Sequence, residues 1–308
     1  MAKSSLPIAR FRLAQLSSHL VIALIALVVV GGATRVMEAG LACPDWPLCF
    51  GSFLPGAKMN LQVFLEWFHR LDAFLVGLGL ISQFICSIVW RNKLPLWFPL
   101  AALILVLLVL LQGGLGALTV LNLLKSEVVT AHLALGLVLV GLMSGLTQVL
   151  LETNASPSPI WWRFLSGGSL LLVIIQCLLG GRMATSWAAQ KCITQGQACH
   201  FLDIHRFAAI PMTLFILTFI SVALFHSGWT RNQWPLLVGV LVLISAQISL
   251  GLLTVTNGLS IPLVTVAHQL VASLLVAFLS ALAFKRPKVV NSQPQDIFNY
   301  SSLKTCHG

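Results

Sequence analysis

Long apolar stretches, separated by polar breaks, run along almost the whole chain. Eight of them reach the length of about 20 residues that a helix needs to cross a lipid bilayer. The predicted spans are 17–37, 66–90, 95–120, 127–151, 160–181, 203–226, 233–256 and 262–284. Most breaks are short, but two cysteine-bearing loops cover 38–65 and 182–202. The pattern predicts an all-α integral membrane protein that contacts the lipid bilayer.

The composition supports this prediction and changes how the net charge is interpreted. Of the 308 residues, 58% are hydrophobic and 8% are charged, whereas soluble domains carry roughly a quarter charged residues. The net charge of +10 therefore indicates basic loops on one side of a membrane rather than a nucleic-acid partner. No cleavable signal peptide is expected, because the first apolar run ends in GGATRVMEAG without a convincing cleavage site.

The distribution of lysine and arginine predicts the orientation in the membrane. With the N-terminus inside, eleven of the 18 basic residues lie in the cytoplasm. They are Lys3, Arg10, Arg12, Arg91, Lys93, Arg163, Arg231, Lys285, Arg286, Lys288 and Lys304. An even number of spans returns the C-terminus to the cytoplasm as well. Both cysteine loops then face outward.

The histidines indicate an internal repeat. His69 and His132 lie 63 residues apart, as do His205 and His268, and adding 136 converts the first pair into the second. The segments LLQGGLGALTVLN and SAQISLGLLTVTN also align, with a shift of 135.

The repeat divides the chain into two tandem four-helix bundles, over residues 1–155 and 156–308. Four spans per half return each half to the same side of the membrane. We therefore expect parallel repeats related by an axis along the membrane normal.

Ionisable residues at matched positions inside apolar helices indicate a functional site. Two imidazoles from facing helices of a bundle can occupy both axial positions of a haem iron. The alternative is that each histidine is a buried polar residue bonded to a neighbour. Zinc is less apt, because the second histidine pair lacks carboxylate or thiolate ligands. Arg35, Arg70 and Arg206 lie where haem propionates would point outward, although solvated loop charges explain them equally well.

Only the first half has a carboxylate one helix turn before its histidine. Glu66 precedes His69 by three residues, so the two share a helix face, whereas the second half has Leu202 at the equivalent place. A carboxylate at this position suits proton transfer or the stabilisation of positive charge. The alternative is a residue that caps the first turn of the second span. The asymmetry suggests that the first half performs chemistry and the second holds a permanent cofactor.

These motifs together resemble the haem A synthase family, over about residues 15–285. The resemblance is carried by EWFHR in the second span, the histidines of spans four, six and eight, and GLACPDWPLC after a Gly-Gly turn. It implies that two successive hydroxylations of the C8 methyl of haem O, followed by loss of water, leave the formyl group of haem A. It also implies a bacterial inner-membrane location, a separate haem O synthase as supplier, and a role in cytochrome oxidase assembly.

The resemblance also assigns roles to the site residues. His205 and His268 would ligate haem b, a bound cofactor, in the C-terminal half. His69 and His132 would hold the substrate haem O in the N-terminal half, with Glu66 as the catalytic carboxylate. Two other functions stay open, namely a dihaem b-type cytochrome that relays electrons and a haem transporter or chaperone.

The stretch ACPDWPLCF allows a metal clip, a haem attachment site, a redox-active thiol pair or a disulfide. Attachment of c-type haem needs C-x-x-C-H, which is missing, and a zinc clip needs more nearby ligands. An oxidising outer compartment favours the disulfides Cys43–Cys49 and Cys192–Cys199. Each would hold its loop as a lid over a haem, and a redox role for the pairs stays open. The first pair encloses five residues and the second six, which departs from an exact repeat.

Overall fold

The computed structural model describes residues 8–152, 158–226, 229 and 231–287, and the regular structure within them is helical. The α-helices are α1 Ile8–Val36, α2 Leu61–Val89, α3 Phe98–Leu121, α4 Ser126–Leu151, α5 Ile160–Thr185, α6 Ala188–Gln195, α7 Cys199–Phe225, α8 Trp234–Thr256 and α9 Pro262–Phe284. Short 3-10 helices cover Gly56–Lys58, Arg91–Lys93 and Arg231–Gln233. All the α-helices except α6 are long and apolar enough to cross a membrane, which confirms the predicted spans.

Three spans begin earlier than the hydropathy pattern predicts. Helix α1 begins at Ile8 rather than at 17, α2 at Leu61 rather than at 66, and α7 at Cys199 rather than at 203. The start of α2 is fixed by Asn60, whose side chain accepts a hydrogen bond from the Val63 amide at 2.9 Å. Local capping therefore extends this helix beyond its apolar core.

The second cysteine loop, predicted over 182–202, is partly helical. It contains α6, an eight-residue helix that begins after Trp187 and ends at Gly196. Both flanking residues adopt left-handed backbone conformations, with φ of 57° and 68°. Such a conformation at the C-terminal flank favours glycine and ends the helix there.

The long helices pack in two closed rings. In the first ring, α1 contacts α2, α2 contacts α3, α3 contacts α4, and α4 returns to α1. In the second, α5, α7, α8 and α9 contact one another in the same cyclic order. Contacts of α9 with α1 and α4, and of α4 with α5, join the two rings. Each histidine pair therefore belongs to one ring.

Helices α4 and α9 meet at the junction through two reciprocal hydrogen bonds. Ser144 Oγ donates to the Ala277 carbonyl at 2.7 Å, and Ser280 Oγ donates to the Gly141 carbonyl at 2.5 Å. Adding 136 to Ser144 gives Ser280, and subtracting 136 from Ala277 gives Gly141, so the two bonds are equivalent under the repeat. Since a hydroxyl that bonds a neighbouring backbone is a common link between apolar helices, these bonds fix the register of the two helices.

Three chain segments converge at the end of the molecule opposite the cysteine loops. Arg10 of α1 donates to the carbonyl groups of Val149, Leu150 and Glu152 at the end of α4. Lys285, just after α9, forms an ion pair with Glu152 at 3.4 Å. Basic residues near both ends of the described chain thus lie together. The predicted cytoplasmic residues Lys3, Lys288 and Lys304 lie outside the described residues.

Candidate functional site

Each of the four predicted histidine ligands packs against a glycine of the preceding long helix. A Cβ atom built on that glycine would lie 2.9 to 3.3 Å from Cε1 of the histidine ring, so a larger residue would displace the ring. The contacts are Gly31–His69, Gly116–His132, Gly180–His205 and Gly251–His268. The same local geometry therefore positions all four imidazoles.

The first pair of imidazoles faces across the first ring of helices. The ring centroids of His69 on α2 and His132 on α4 are 6.5 Å apart, and the ring planes lie at 73°. Both side chains are half-buried, and their Nδ1 atoms are buried without a hydrogen-bond partner in the described part of the chain. Buried ring nitrogens without partners are available to an additional ligand.

The second pair occupies the corresponding helices of the second ring. His205 lies on α7 and His268 on α9, and the two interact electrostatically. The Nδ1 atom of His268 is again buried, with no partner among the described residues. Both pairs thus lie on corresponding helices of their rings.

Glutamine side chains contact three of the four histidines. The amide nitrogen of Gln112 lies 3.0 Å from the His132 carbonyl oxygen, and that of Gln176 lies 2.6 Å from the carbonyl of His205. The second of these amides also lies 3.1 Å from the His205 ring. The Gln247 amide lies 3.2 Å from Nε2 of His268.

A metal held by protein side chains alone does not fit this arrangement. Within the described residues, no three or more His, Cys, Asp or Glu side chains come together as a metal site. Two histidines are too few for a closed tetrahedral zinc centre. They do match the two axial positions of a haem iron, whose other four ligands come from the porphyrin.

Glu66 is a buried carboxylate that contacts the first cysteine loop. It is 4% exposed, and its Oε2 accepts a hydrogen bond from the Cys43 amide at 2.7 Å. Its Oε1 pairs with Arg70 at 2.5 Å. The alternative interpretation as a helix cap is wrong, because α2 begins five residues earlier and Asn60 is its cap.

Arg70 fastens the first cysteine loop to α2. Besides Glu66, its guanidinium donates to the carbonyl oxygens of Asp45 at 2.6 Å and Leu48 at 2.5 Å. The Asp45 carboxylate in turn accepts from the amides of Phe50 at 2.6 Å and Gly51 at 2.7 Å. The loop is therefore organised around one buried ion pair and one internal turn.

The other two predicted propionate contacts have different surroundings. The Arg35 guanidinium lies 3.5 Å from the centroid of the Trp187 ring and donates to the Ala184 carbonyl. It therefore connects the end of α1 to the segment before α6. Arg206 directly follows His205 and is exposed, in a shallow depression that also includes Asp203.

Both predicted disulfides are present. Cys43 bonds to Cys49 and Cys192 bonds to Cys199, with Cα separations of 4.8 and 4.7 Å. The first pair is fully buried, with Cys43 at 0% exposure against α2. The second ties α6 to the first residue of α7.

Two features of the site were missed in the sequence. The Glu66–Arg70 pair has the four-residue spacing of an ion pair on one helix face, and that spacing was available as a signal. The glutamine contacts were also visible, as a Q-x-x-x-G motif in the helix before His132, His205 and His268. Only the contacts reveal that the glycine and the glutamine of this motif serve the same histidine.

Comparisons with known proteins agree with this architecture. The family described as cytochrome oxidase assembly protein, COX15-CtaA, matches residues 14–280. A protein named Heme A synthase from Shewanella oneidensis is 30% identical, covering 84% of this chain and 92% of that protein. A protein of the same name from Sphingopyxis alaskensis is 24% identical, covering 84% of this chain and 88% of that protein. A Halobacterium salinarum protein named Protoheme IX farnesyltransferase is 28% identical over 44% of this chain and 30% of its own length. The chain therefore belongs to the COX15-CtaA family of cytochrome oxidase assembly proteins.

Proposed function

We propose that this protein is a haem A synthase of the bacterial inner membrane, which oxidises the C8 methyl of haem O to a formyl group. Family membership and the names of its relatives support a role in making haem A for cytochrome oxidase. The observation that carries the proposal is that the two halves differ at one position, which is a carboxylate in the first half and an apolar residue in the second. Both rings of helices contain a histidine pair, but among the described residues only the first ring places a buried carboxylate, Glu66, one turn from a histidine. The equivalent residue of the second ring is the buried Leu202.

The residues present fit haem as the group that both pairs bind. A bis-histidine haem needs two imidazoles with free ring nitrogens on facing helices, and three of the four Nδ1 atoms are buried with no hydrogen-bond partner among the residues that the structure describes. A flat macrocycle also needs apolar walls with little side-chain bulk. Gly113 and Gly114 on α3 have open space where a Cβ would lie.

We assign haem b to the second half, residues 156–308, with His205 and His268 as axial ligands. Haem b supplies one-electron redox chemistry to the protein when it is bound. The chain's own contribution is a ligand pair held between apolar helices, with no carboxylate at the Leu202 position to react with the macrocycle.

The substrate haem O is assigned to the first half, residues 1–155, between His69 and His132. The Glu66 carboxylate is fixed by Arg70 and the Cys43 amide at the end of this pocket. From there it can accept a proton from the reacting methyl group or stabilise positive charge that develops on the macrocycle. The disulfide-bonded loop above it excludes water. The first hydroxylation gives a hydroxymethyl group and the second a gem-diol, which loses water to leave the formyl group. Each hydroxylation is a two-electron oxidation that adds one oxygen atom, so dioxygen with two reducing electrons, or water with an external two-electron acceptor, must be supplied from outside the chain.

The tandem arrangement and the orientation belong to the same proposal. The reciprocal serine bonds between α4 and α9 support two repeats related by a twofold axis. The contacts of Arg10 and Lys285 with the end of α4 support a basic, cytoplasmic face opposite the cysteine loops. Both termini would then lie in the cytoplasm. The partial similarity to a protoheme IX farnesyltransferase supports a haem O synthase as the supplier of substrate.

Chromatography of extracted haems tests the proposed function. Cells that express the chain together with a source of haem O should contain haem A, and the purified protein should retain haem b. A well-folded protein that yields only unmodified haem would instead support an electron-relaying cytochrome or a haem carrier. The one-sided carboxylate favours the synthase over both.

A further inference from the structure

Each of the four histidines contacts a glycine on the preceding long helix. The residue one helix turn before that glycine is not the same in all four cases. In three cases the residue four positions before the glycine is glutamine, and its amide contacts the histidine or its backbone. The three motifs are Gln112–Gly116, Gln176–Gly180 and Gln247–Gly251. The fourth glycine, Gly31, is preceded at the same spacing by Leu27.

The difference changes the surroundings of the His69 ring. The amides of Gln112, Gln176 and Gln247 lie 3.5, 3.1 and 3.2 Å from a ring nitrogen of their histidines. The backbone of the residue four positions before the glycine lies beside all four rings, so His69 differs only in lacking a side-chain amide next to that backbone. The Oε1 atoms of all three glutamines are buried without partners in the described chain. Since an amide offers both a donor and an acceptor, each can bond its imidazole in either protonation state.

A second hydrogen-bonding partner orients a metal-binding histidine and strengthens its bond to the metal. A cofactor that stays bound needs two ligands fixed in this way, and both histidines of the second half have such a glutamine. A substrate must enter and leave, which requires at least one ligand to detach. In the first half only His132 has a glutamine.

Building on the proposed function, we propose that the three glutamines are positioning residues for haem ligands, and that Leu27 leaves His69 as the ligand that detaches. Haem O then enters, and product leaves, by breaking the iron bond to His69 while His132 stays fixed. The position of His69 suits this role, because it lies one turn after Glu66, which accepts a hydrogen bond from Cys43 of the first cysteine loop. The identity of the residue four positions before the glycine thus distinguishes a substrate site from a cofactor site.

Carbon monoxide binding to ferrous protohaem tests the assignment without any turnover. Carbon monoxide reacts with a six-coordinate haem only after an axial ligand detaches, so its rate reports ligand release. Purified protein is loaded with protohaem in both halves, and the first-half haem is identified by its loss in His132→Ala. We expect this haem to bind carbon monoxide readily, whereas the second-half haem stays low-spin and unreactive.

Substitutions in opposite directions exchange glutamine and leucine at the position four residues before the glycine. Leu27→Gln supplies the missing amide and should slow carbon monoxide binding at the first-half haem by about 10–100-fold, the usual scale of an outer-sphere partner's effect. Gln176→Leu should make the second-half haem reactive. Leu27→Met, which adds no hydrogen-bonding group, is the control and should behave like the unsubstituted chain.

The outcomes separate this inference from the proposed function. If either reciprocal substitution leaves the rate at its own haem unchanged, the glutamine assignment is wrong. If the rates change as expected but no haem A is ever formed, the inference stands and the synthase proposal fails. A chain that binds no protohaem at all would overturn both.

Discussion

Glu66 is a buried carboxylate with a hydrogen-bond partner at each oxygen. The Cys43 amide and the Arg70 guanidinium supply the hydrogen bonds that water would otherwise provide. A buried charge without such partners would be strongly destabilising. The carboxylate therefore serves the loop and the proposed chemistry together, and substitutions must separate the two roles.

Glu66→Gln removes the charge but keeps an oxygen that can accept from the Cys43 amide. We expect this variant to fold, to retain haem b and to accumulate haem O instead of haem A. Glu66→Ala should also stop haem A formation, and should destabilise the fold by about 1–3 kcal/mol because the amide loses its partner. The measurements are haem chromatography and thermal unfolding. Normal haem A production by either variant would show that Glu66 has only a structural role.

Arg70 should contribute more to stability than a comparable surface arginine. Arg70→Ala would leave Glu66 buried without its counter-charge, at a cost of about 3–5 kcal/mol. The matched control is Arg182→Ala, which breaks the exposed Arg182–Glu127 pair at 2.8 Å and should change the stability far less, because solvent screens this pair. Thermal unfolding in detergent compares the two variants. Equal losses would contradict the account of the first loop.

At the scale of structural elements, the first cysteine loop depends on Asp45 for its inner turn. The amides of Gly51 and Phe50 donate to this carboxylate and keep the pKa of Asp45 below its ordinary value. Because the folded pKa lies below the unfolded one, the stabilisation is complete above about pH 3.9 and disappears as the pH falls through the folded value.

Asp45→Asn should therefore make the loop more susceptible to proteolysis at neutral pH. It should also reduce the further rise in susceptibility that occurs as the pH falls. The measurement is the rate of proteolysis within 43–52 between about pH 7 and pH 3, with an acid-stable protease. The unsubstituted loop should become susceptible only at the acid end. A variant whose acid profile matches that of the unsubstituted chain would contradict the role of the Asp45 turn.

The glycine contacts are a second feature at this scale. In Gly180→Ala the new methyl group would lie 2.9 Å from Cε1 of His205, so the ring must move. We expect loss of the low-spin haem b spectrum. Gly167→Ala on the same helix meets open space and should be neutral or slightly stabilising, by up to about 1 kcal/mol. If both variants keep the spectrum, the glycine does not position the ligand.

Hydropathy was sufficient to predict the number of long helices but not their limits. A span is recognised by its apolar middle, whereas α2 begins at the polar Asn60 cap and α7 at the disulfide-bonded Cys199. Helix α6 was missed for the same reason, since it is short and polar and lies between two turn residues. Local hydrogen bonds and covalent links set these limits, and neither follows from apolar periodicity.

At the scale of the whole molecule, two rings of helices meet along α4 and α9. The histidine spacing predicted two halves, and the contacts place each pair within one ring. The sequence could not predict how the halves join, because Ser144 and Ser280 look like ordinary small residues of apolar helices. Their partners are backbone carbonyl groups, which carry no signature in the sequence.

The junction also brings the two histidine pairs near each other. Gln269, next to His268, donates to the Val28 carbonyl on α1 at 2.9 Å and fills the space beside Gly32. The corresponding residue after His132 is Leu133, which packs on Gly181 in the same way. The two halves are thus similar in packing and differ in polarity at the residue that follows the second histidine.

The most direct test of the account is the haem content of cells that make haem O and express this chain or its single-histidine variants. The unsubstituted chain should give haem A in the membrane and haem b on the purified protein. His69→Ala should keep haem b and stop haem A formation, whereas His205→Ala should remove haem b. Absence of haem A with the folded, unsubstituted chain would contradict the synthase proposal, and loss of haem b in His69→Ala alone would contradict the division between halves.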